Sequence, residues 1–164
     1  MRCAVVMGSA SDFPLVKPCV ETLKKFGIDP LVSVISAHRT PDKAADFAKN
    51  AEGEGIDVII AAAGKAAHLA GAMAANSALP VIGIPVKSTA LDGLDALLST
   101  VQMPPGVPVA TVGIDAAKNA AILAVQIMAL KYPVLSDRIK KYKIEMAVEA
   151  EKMDAAVKEE VLGL

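Results

Sequence analysis

The chain has 164 residues, of which 54% are hydrophobic and 21% charged, and its formal net charge is −1. This length fits one domain with a single core, so we expect residues 1–164 to form one domain. A balanced charge lacks the basic patch that a nucleic-acid partner favours, and 3% aromatic residues are too few for base stacking. Much of the apolar content is alanine, and an apolar surplus on a small domain predicts contacts between copies of the chain.

Apolar runs typical of buried strands alternate with segments of helical periodicity. This alternation predicts a parallel sheet covered on both faces, in a three-layer, flavodoxin-like, doubly wound α/β fold. The predicted strands are Cys3–Met7, Leu31–Ile35, Asp57–Ala63, Pro80–Val86 and Val109–Gly113, and the predicted helices are Phe13–Phe26, Pro41–Glu54, His68–Ser77 and about Ala116–Lys131.

An uncharged stretch, Leu69–Val86, is long enough to resemble a membrane span. It contains two prolines and its pattern changes from helix to strand, so we interpret it as buried core. Cys3 and Cys19 have neither CxxC nor zinc-like spacing, and a buried thiol is the usual role of a cysteine in a core strand. The amino-terminal residues lead directly into a strand without a signal-peptide pattern. We therefore expect a cytoplasmic protein that does not associate with membranes.

Two segments depart from the alternation of strand and helix. Residues 87–108 contain a predicted short helix, Leu91–Val101, and a stiff turn, Met103–Gly106. This segment could form a lid or a contact between copies, and the sequence favours neither. Residues 136–164 predict a long charged helix that is too long to lie wholly against its own domain, so we expect it to dock on a neighbouring subunit; a partly frayed terminal helix is the alternative. Its narrow apolar stripe comprises Ile139, Tyr142, Met146, Met153 and Val157.

The loop after the first predicted strand, Gly8–Asp12, has the composition of a phosphate cradle. Ligands of doubly wound sheets bind beyond the carboxyl ends of the strands. Ser9 and Ser11 offer hydroxyls and nearby amides at a helix start, where the helix dipole favours an anion. Asp12 would repel phosphate, so we expect it to face a hydroxyl or an amine. Plain capping of the helix by Ser11 or Asp12 explains the same residues equally well.

The loop after the second predicted strand, Ser36–Pro41, combines an imidazole with a guanidinium. Imidazole gains and loses a proton near neutral pH, so His38 can act as a general base. Arg39 can bind a phosphate or a carboxylate. This pair indicates chemistry on a charged small molecule, although a surface turn with two polar residues is the alternative.

The loop after the third predicted strand, Ala63–Gly71, is built from small residues that let a ligand approach the backbone. Lys65 and His68 are its polar side chains. Two histidines without a paired acidic or thiol ligand do not predict a metal site. The chain also lacks a GxGxxG fingerprint and a Walker lysine motif, which disfavours dinucleotide and P-loop chemistry.

The three loops together resemble the bacterial PurE family, the N5-carboxyaminoimidazole ribonucleotide mutases of purine biosynthesis. The resemblance lies in Gly8–Asp12, Ser36–Pro41 and Ala66–Leu69, and it extends to Pro80–Val86 and Gln102–Gly106. It implies a homo-octamer with no metal or organic cofactor and a small ribonucleotide substrate. It also implies transfer of a carboxylate from the exocyclic nitrogen to C4 of the imidazole. In that scheme, CO2 is released in a closed site and captured by the ring carbon, while a histidine removes the ring proton.

By motif position, the resemblance implies that His38 is the general acid/base of a catalytic domain that spans residues 1–164. It assigns phosphate to the two serines and the arginine, and ribose to the aspartate. The residues that it implies for substrate binding are Ser9, Ser11, Asp12, Ser36, Ala37, Arg39, Gly64, His68 and Leu69.

The third loop departs from the family pattern at two positions. The family usually has a second glycine where this chain has Lys65, and a proline where it has Ala70. Lys65 either reaches the transferred carboxylate or points to solvent or to a neighbouring subunit. We favour the outward placement, because an ammonium beside the carboxylate would oppose the loss of charge when CO2 leaves.

Three other functions compete with the mutase. A related branch of the family carboxylates aminoimidazole ribonucleotide directly with CO2, but Arg39–Pro41 and His68-Leu69 favour the mutase. A non-enzymatic module that senses purine intermediates would need the phosphate cradle and no base at His38. A purely structural oligomer would bind no ligand.

Overall fold

Five parallel strands form one sheet in the computed structural model, which describes residues 1–164. The strand order is β2-β1-β3-β4-β5, which is the order of flavodoxin-like folds. The predicted fold class is therefore confirmed. The strands are β1 (Cys3–Met7), β2 (Leu31–Val34), β3 (Val58–Gly64), β4 (Val81–Val86) and β5 (Ala110–Thr111).

Six α-helices connect or follow the strands, and most of their bounds agree with the prediction to within a few residues. The predicted helix Leu91–Val101 is divided, because Asp92 and Gly93 take left-handed backbone angles (φ of 51° and 92°). The last helix begins at Pro133, where proline favours the first turn. The helices are α1 (Phe13–Lys25), α2 (Pro41–Asn50), α3 (Leu69–Asn76), α4 (Leu94–Val101), α5 (Ala117–Ala129) and α6 (Pro133–Leu162), with short 3-10 turns at Ala10–Asp12 and Leu91–Gly93.

The sheet separates two apolar cores. Val5 and Met7 of β1 point to the face covered by α1, α5 and the start of α6. Ala4 and Val6 point to the opposite face, which α2 and α3 cover. A central parallel strand is buried on both faces, which explains why β1 is apolar at every position. Both cysteines are free and buried, in agreement with the prediction of core thiols.

The uncharged stretch Leu69–Val86 forms α3 and β4, as its change of pattern predicts. No helix in the structure has both the length and the apolar content required to cross a membrane.

The carboxyl ends of β1, β2 and β3 lie level with one another. Met7 is paired with Val34 on one side and with Ala62 on the other. Gly64 ends β3 where the backbone of β4 passes closely, since a Cβ at this position would lie 3.0 Å from the carbonyl oxygen of Val86. The three candidate loops therefore leave the sheet at one edge, beside the loop that follows β4.

Helix α4 packs on β4 through one face only. Its Thr100 is buried, and a side chain at Gly83 would collide with the Thr100 methyl group. The opposite face leaves Leu94 and Leu98 about half exposed (49% and 48%), and Leu91 in the preceding turn is 70% exposed. The segment 87–108 thus carries an apolar surface that its own subunit does not cover.

Helix α6 is divided between core and solvent. Leu135 and Ile139 are buried, and Tyr142 packs edge-on against Phe26 with ring centroids 5.5 Å apart. From residue 143 onward every residue is exposed. The predicted helix is therefore too long for its domain, as expected, but its first ten residues pack on their own subunit through Leu135, Ile139 and Tyr142.

Candidate active site

A cleft of about 590 Å³ opens at the carboxyl ends of the strands. The loops after β1, β2, β3 and β4 all contribute to its walls. The structure brings together every residue that the sequence assigns to catalysis or substrate binding, while the role of each one stays a prediction. These residues are Ser9, Ser11, Asp12, Ser36, Ala37, His38, Arg39, Gly64, His68 and Leu69.

In the first loop, hydroxyl groups are turned toward one another. Ser9 Oγ accepts hydrogen bonds from the backbone N–H of Ser11 at 3.2 Å and from the Ser11 hydroxyl at 2.7 Å. The Ser9 hydroxyl therefore keeps its own proton for a ligand. Asp12 occupies the position before α1, but its side chain makes no capping hydrogen bond. Neither Ser11 nor Asp12 caps α1 through its side chain, while Ser9 caps the 3-10 turn Ala10–Asp12 through its bond to the Ser11 N–H.

Asp12 is a partly buried carboxyl group in the wall of the cleft. Desolvation raises its pKa above the usual value, and hydrogen bonds with the Ser9 backbone and the Ser11 side chain only partly oppose this. No cation forms an ion pair with it. An unpaired carboxyl group in this setting is suited to accept hydrogen bonds from a neutral hydroxyl group.

Arg39 links the second loop to the first. Its Nε donates to Ser36 Oγ at 3.3 Å, and its Nη2 donates to the carbonyl oxygen of Gly8 at 3.2 Å. The Thr40 hydroxyl donates to the carbonyl oxygen of Ser36 at 2.9 Å and does not cap α2. These bonds hold the guanidinium beside the serine hydroxyls, where both kinds of donor can bind the same anion.

The two histidines of the chain meet in the cleft. His38 Nε2 lies 2.9 Å from His68 Nδ1, and the ring planes are 88° apart. One nitrogen of this pair donates and the other accepts, according to which ring carries the proton. The pair connects the loop after β2 with the loop after β3. It can accept, hold and return one proton at the centre of the site.

The start of α3 provides a second kind of anion donor. Leu69, the first residue of α3, is buried and lines the cleft. No side chain caps the first turn of α3. Its free N–H groups can therefore bind an oxygen anion, as helix starts commonly do.

The structure also adds residues that the sequence reasoning missed. Val86, Lys87 and Ser88 line the cleft from the loop after β4. Ligands of doubly wound sheets bind beyond the carboxyl ends of the strands, and this rule applies to β4 as it does to the first three strands. The position of these residues after the fourth predicted strand could therefore have identified them. Lys65 is exposed and lines the cleft too, and the direction of its side chain stays a prediction.

The match to a known family decides the classification. A family model described as AIR carboxylase matches residues 2–149. The chain belongs to this family. The family resemblance that the three loops predicted is thereby confirmed.

Similar proteins agree with this classification. A Pyrococcus abyssi protein named N5-carboxyaminoimidazole ribonucleotide mutase is 55% identical over 145 residues, which cover 88% of this chain and 83% of that protein. A Thermotoga maritima protein of the same name is 56% identical over 145 residues, 88% of this chain and 85% of that protein. The crystal structure of Treponema denticola PurE superposes with a TM-score of 0.83 at 30% identity and covers 94% of this chain and 96% of that one.

Proposed function

We propose that this chain is an N5-carboxyaminoimidazole ribonucleotide mutase in which His38 is the general acid/base. The observation that carries the proposal is the histidine pair, His38 Nε2 to His68 Nδ1 at 2.9 Å, inside a cleft built from the loops that identify the family. A proton-transfer group at the centre of an anion-binding cleft is what carboxylate migration on a ribonucleotide requires.

The charges of the cleft suggest how the substrate is oriented. The hydroxyls of Ser9 and Ser11 and the guanidinium of Arg39 lie together and bind the phosphate. Asp12, which no cation neutralises, accepts hydrogen bonds from the ribose hydroxyls. The imidazole ring then lies against His38 and His68, between the second and third loops.

The reaction balances with one shuttled proton. The bond between the exocyclic nitrogen and the carboxylate breaks, CO2 forms, and the electron pair stays on nitrogen, which takes a proton from His38. Ring carbon C4 then attacks CO2, and neutral His38 removes the proton from C4. The histidine returns to its starting state, and the net result moves the carboxylate from nitrogen to carbon. His68 holds the His38 ring in place through their hydrogen bond.

The experiment follows the fate of the transferred carbon. N5-carboxyaminoimidazole ribonucleotide labelled with ¹³C in its carboxylate is incubated with the protein and unlabelled bicarbonate. A mutase yields product carboxylated at C4 that retains the label. Direct carboxylation yields unlabelled product from aminoimidazole ribonucleotide and bicarbonate. Binding without turnover would identify a sensing module, and no binding at all would contradict the proposal.

We infer further that the protein works as a homo-oligomer in the cytoplasm, and that the oligomer is an octamer as in the family it resembles. Two surfaces support association: the exposed leucine face of α4 and the apolar side chains of α6 beyond Tyr142. Most helical stability in proteins comes from packing an amphipathic face, so the projecting part of α6 needs a partner. Of the two uses considered for residues 87–108, the exposed leucines favour the contact between copies.

A further inference from the structure

Lys65 has a backbone conformation that lysine rarely adopts. Its φ of 55° lies in the left-handed region, and it is the only residue other than glycine that lines the cleft with a positive φ. Such angles cost conformational energy and are concentrated at functional sites. The carbonyl oxygen of Lys65 accepts the N–H of Ala67 at 2.8 Å, which closes the turn that leads to His68. Lys65 is therefore fixed at the start of the turn that positions one of the two histidines.

Lys65 is also the unpaired cation of the cleft. Three permanently cationic side chains line it: Arg39, Lys65 and Lys87. Arg39 is bound to Ser36 and Gly8, and Lys87 Nζ lies 3.0 Å from a carboxylate oxygen of Asp92. The side chain of Lys65 makes no hydrogen bond and no ion pair. No ion pair within the subunit therefore neutralises this ammonium.

The strand order places Lys65 and Arg39 on opposite sides of the phosphate cradle, the loop after β1. Arg39 follows β2 and reaches back to the loop after β1, whereas Lys65 follows β3 on the other side of β1. We propose that Lys65 binds the migrating carboxylate of the substrate and product. This inference rests on the proposed function. In this arrangement Arg39 binds the phosphate at one end of the ligand, and Lys65 binds the carboxylate at the other end.

The chemistry of the reaction determines what such a contact does. The carboxylate carries its charge in the substrate and in the product but loses it while the carbon is CO2. An ammonium beside it stabilises both bound carboxylates relative to the CO2 state. Lys65 is therefore a binding residue that lowers KM without raising kcat.

The test compares two ligands that differ only in the carboxylate. Affinities of 4-carboxy-5-aminoimidazole ribonucleotide and 5-aminoimidazole ribonucleotide are measured by calorimetry for the wild type and for Lys65→Gln and Lys65→Arg. Lys49→Gln is the matched control, because it removes the same charge from an exposed site in the last turn of α2, away from the cleft. We expect Lys65→Gln to weaken the carboxylated ligand about three- to tenfold, less so at high salt, and to leave the other ligand within about twofold. Lys65→Arg keeps most of the affinity.

Steady-state kinetics distinguish a binding role of Lys65 from a purely structural one. We expect Lys65→Gln to raise KM while kcat stays unchanged or increases. Equal losses for both ligands, or a lower kcat at unchanged KM, would overturn the assignment of Lys65. If the wild type neither binds the two ribonucleotides nor turns the substrate over, the proposed function fails instead, whatever Lys65 does.

Discussion

His38 and His68 form one hydrogen-bonded pair. Thirty positions separate them in the chain, and their hydrogen bond of 2.9 Å crosses from the loop after β2 to the loop after β3. Two imidazoles in such contact can pass a proton from one ring to the other, so either ring is within reach of the chemistry. The motif position of His38, together with the nearby Arg39, supports the proposal that His38 performs that task.

Replacing His38 by asparagine should separate binding from chemistry. The amide can keep a hydrogen bond to His68 but cannot transfer a proton. We expect kcat to fall about 10²- to 10⁴-fold, with affinity for the carboxylated product within about twofold in calorimetry. His68→Asn is the matched control and should lose less activity. If His68→Asn loses as much as His38→Asn, the two rings act as one unit; near-normal turnover in His38→Asn would eliminate it as the base.

We expect the Asp12 carboxylate to lower the stability of the fold at neutral pH and to contribute to ligand binding. Burial raises its pKa in the folded state, so the fold prefers the protonated form. The stability linked to this preference is complete below the unfolded pKa of about 4 and is lost as pH rises through the raised folded pKa. Asp12→Asn should therefore increase the free energy of unfolding at pH 7, relative to wild type, while weakening ribonucleotide binding.

Urea unfolding at pH 4 and pH 7 checks the Asp12 prediction. The advantage of Asp12→Asn should be smaller at pH 4 than at pH 7. A variant that is less stable at pH 7 and binds ligand normally would contradict both halves of the argument.

At the scale of secondary structure, Asp57 ties together the ends of elements far from the cleft. Its carboxylate accepts hydrogen bonds from the Arg2 backbone at 2.9 Å, from Lys131 Nζ at 2.8 Å and from the Tyr132 hydroxyl at 3.1 Å. Burial alone would raise the pKa of Asp57, but the hydrogen bonds from Lys131, Arg2 and Tyr132 outweigh it and hold the pKa below its usual value. This residue thus joins the start of β1 to the link between α5 and α6.

The Asp57 contacts should contribute stability that acid removes. A carboxyl group with a lowered folded pKa stabilises the fold above the unfolded pKa of about 4, and this contribution disappears as pH falls through the folded value. We expect Asp57→Asn to lower the free energy of unfolding at pH 7 by about 1–3 kcal/mol and to reduce its dependence on pH between about 5 and 3. Urea titrations across that range measure both effects. An unchanged acid limb would show that other carboxyl groups control it.

The sequence predicts best those elements whose formation depends on residues close together in the chain. The strands of the sheet follow from apolar runs, and their parallel pairing follows from the regular alternation with helices. The division of the helix at Asp92 is not visible in the apolar pattern, because it arises from backbone angles in a short connection. The hydrogen bond between His38 and His68 depends on strand register, which pattern alone does not give. The start of α6 was missed although Pro133 is a residue that favours a first helical turn.

At the scale of the whole molecule, a single copy leaves two apolar surfaces exposed, on α4 and on the end of α6. Beyond Tyr142, α6 projects with Ile144, Met153 and Val157 each 58–66% exposed. Together with the leucine face of α4, these side chains leave apolar surface exposed, and large exposed apolar patches mark interaction sites.

Removing residues 144–164 should weaken the oligomer and preserve the subunit. Deletion from residue 136 would be a poorer test, because it removes Ile139 and Tyr142 from the core and Arg138 from the carbonyl oxygen of Phe26. We expect light scattering of the shorter chain to show a smaller particle, with circular dichroism that retains the helix content of the remaining residues. Leu98→Asp on α4 tests the second surface. An unchanged particle mass in the shortened protein would make the tail peripheral.

The position of β1 inside the sheet, between β2 and β3, has a consequence for how the chain folds. All strand pairs are parallel, so no neighbouring strands can close as a hairpin, and each pairing waits for a crossover. Along the chain, β2 is the first strand with which β1 can pair. The other edge of β1 stays unpaired until β3 joins the sheet. A nascent chain that has stopped there presents an apolar, unpaired strand edge of the kind that recruits other chains. Such a chain also has no ligand site, because the walls of the cleft come from four loops. Substrate binding can therefore stabilise only molecules in which β3 and β4 have already joined the sheet.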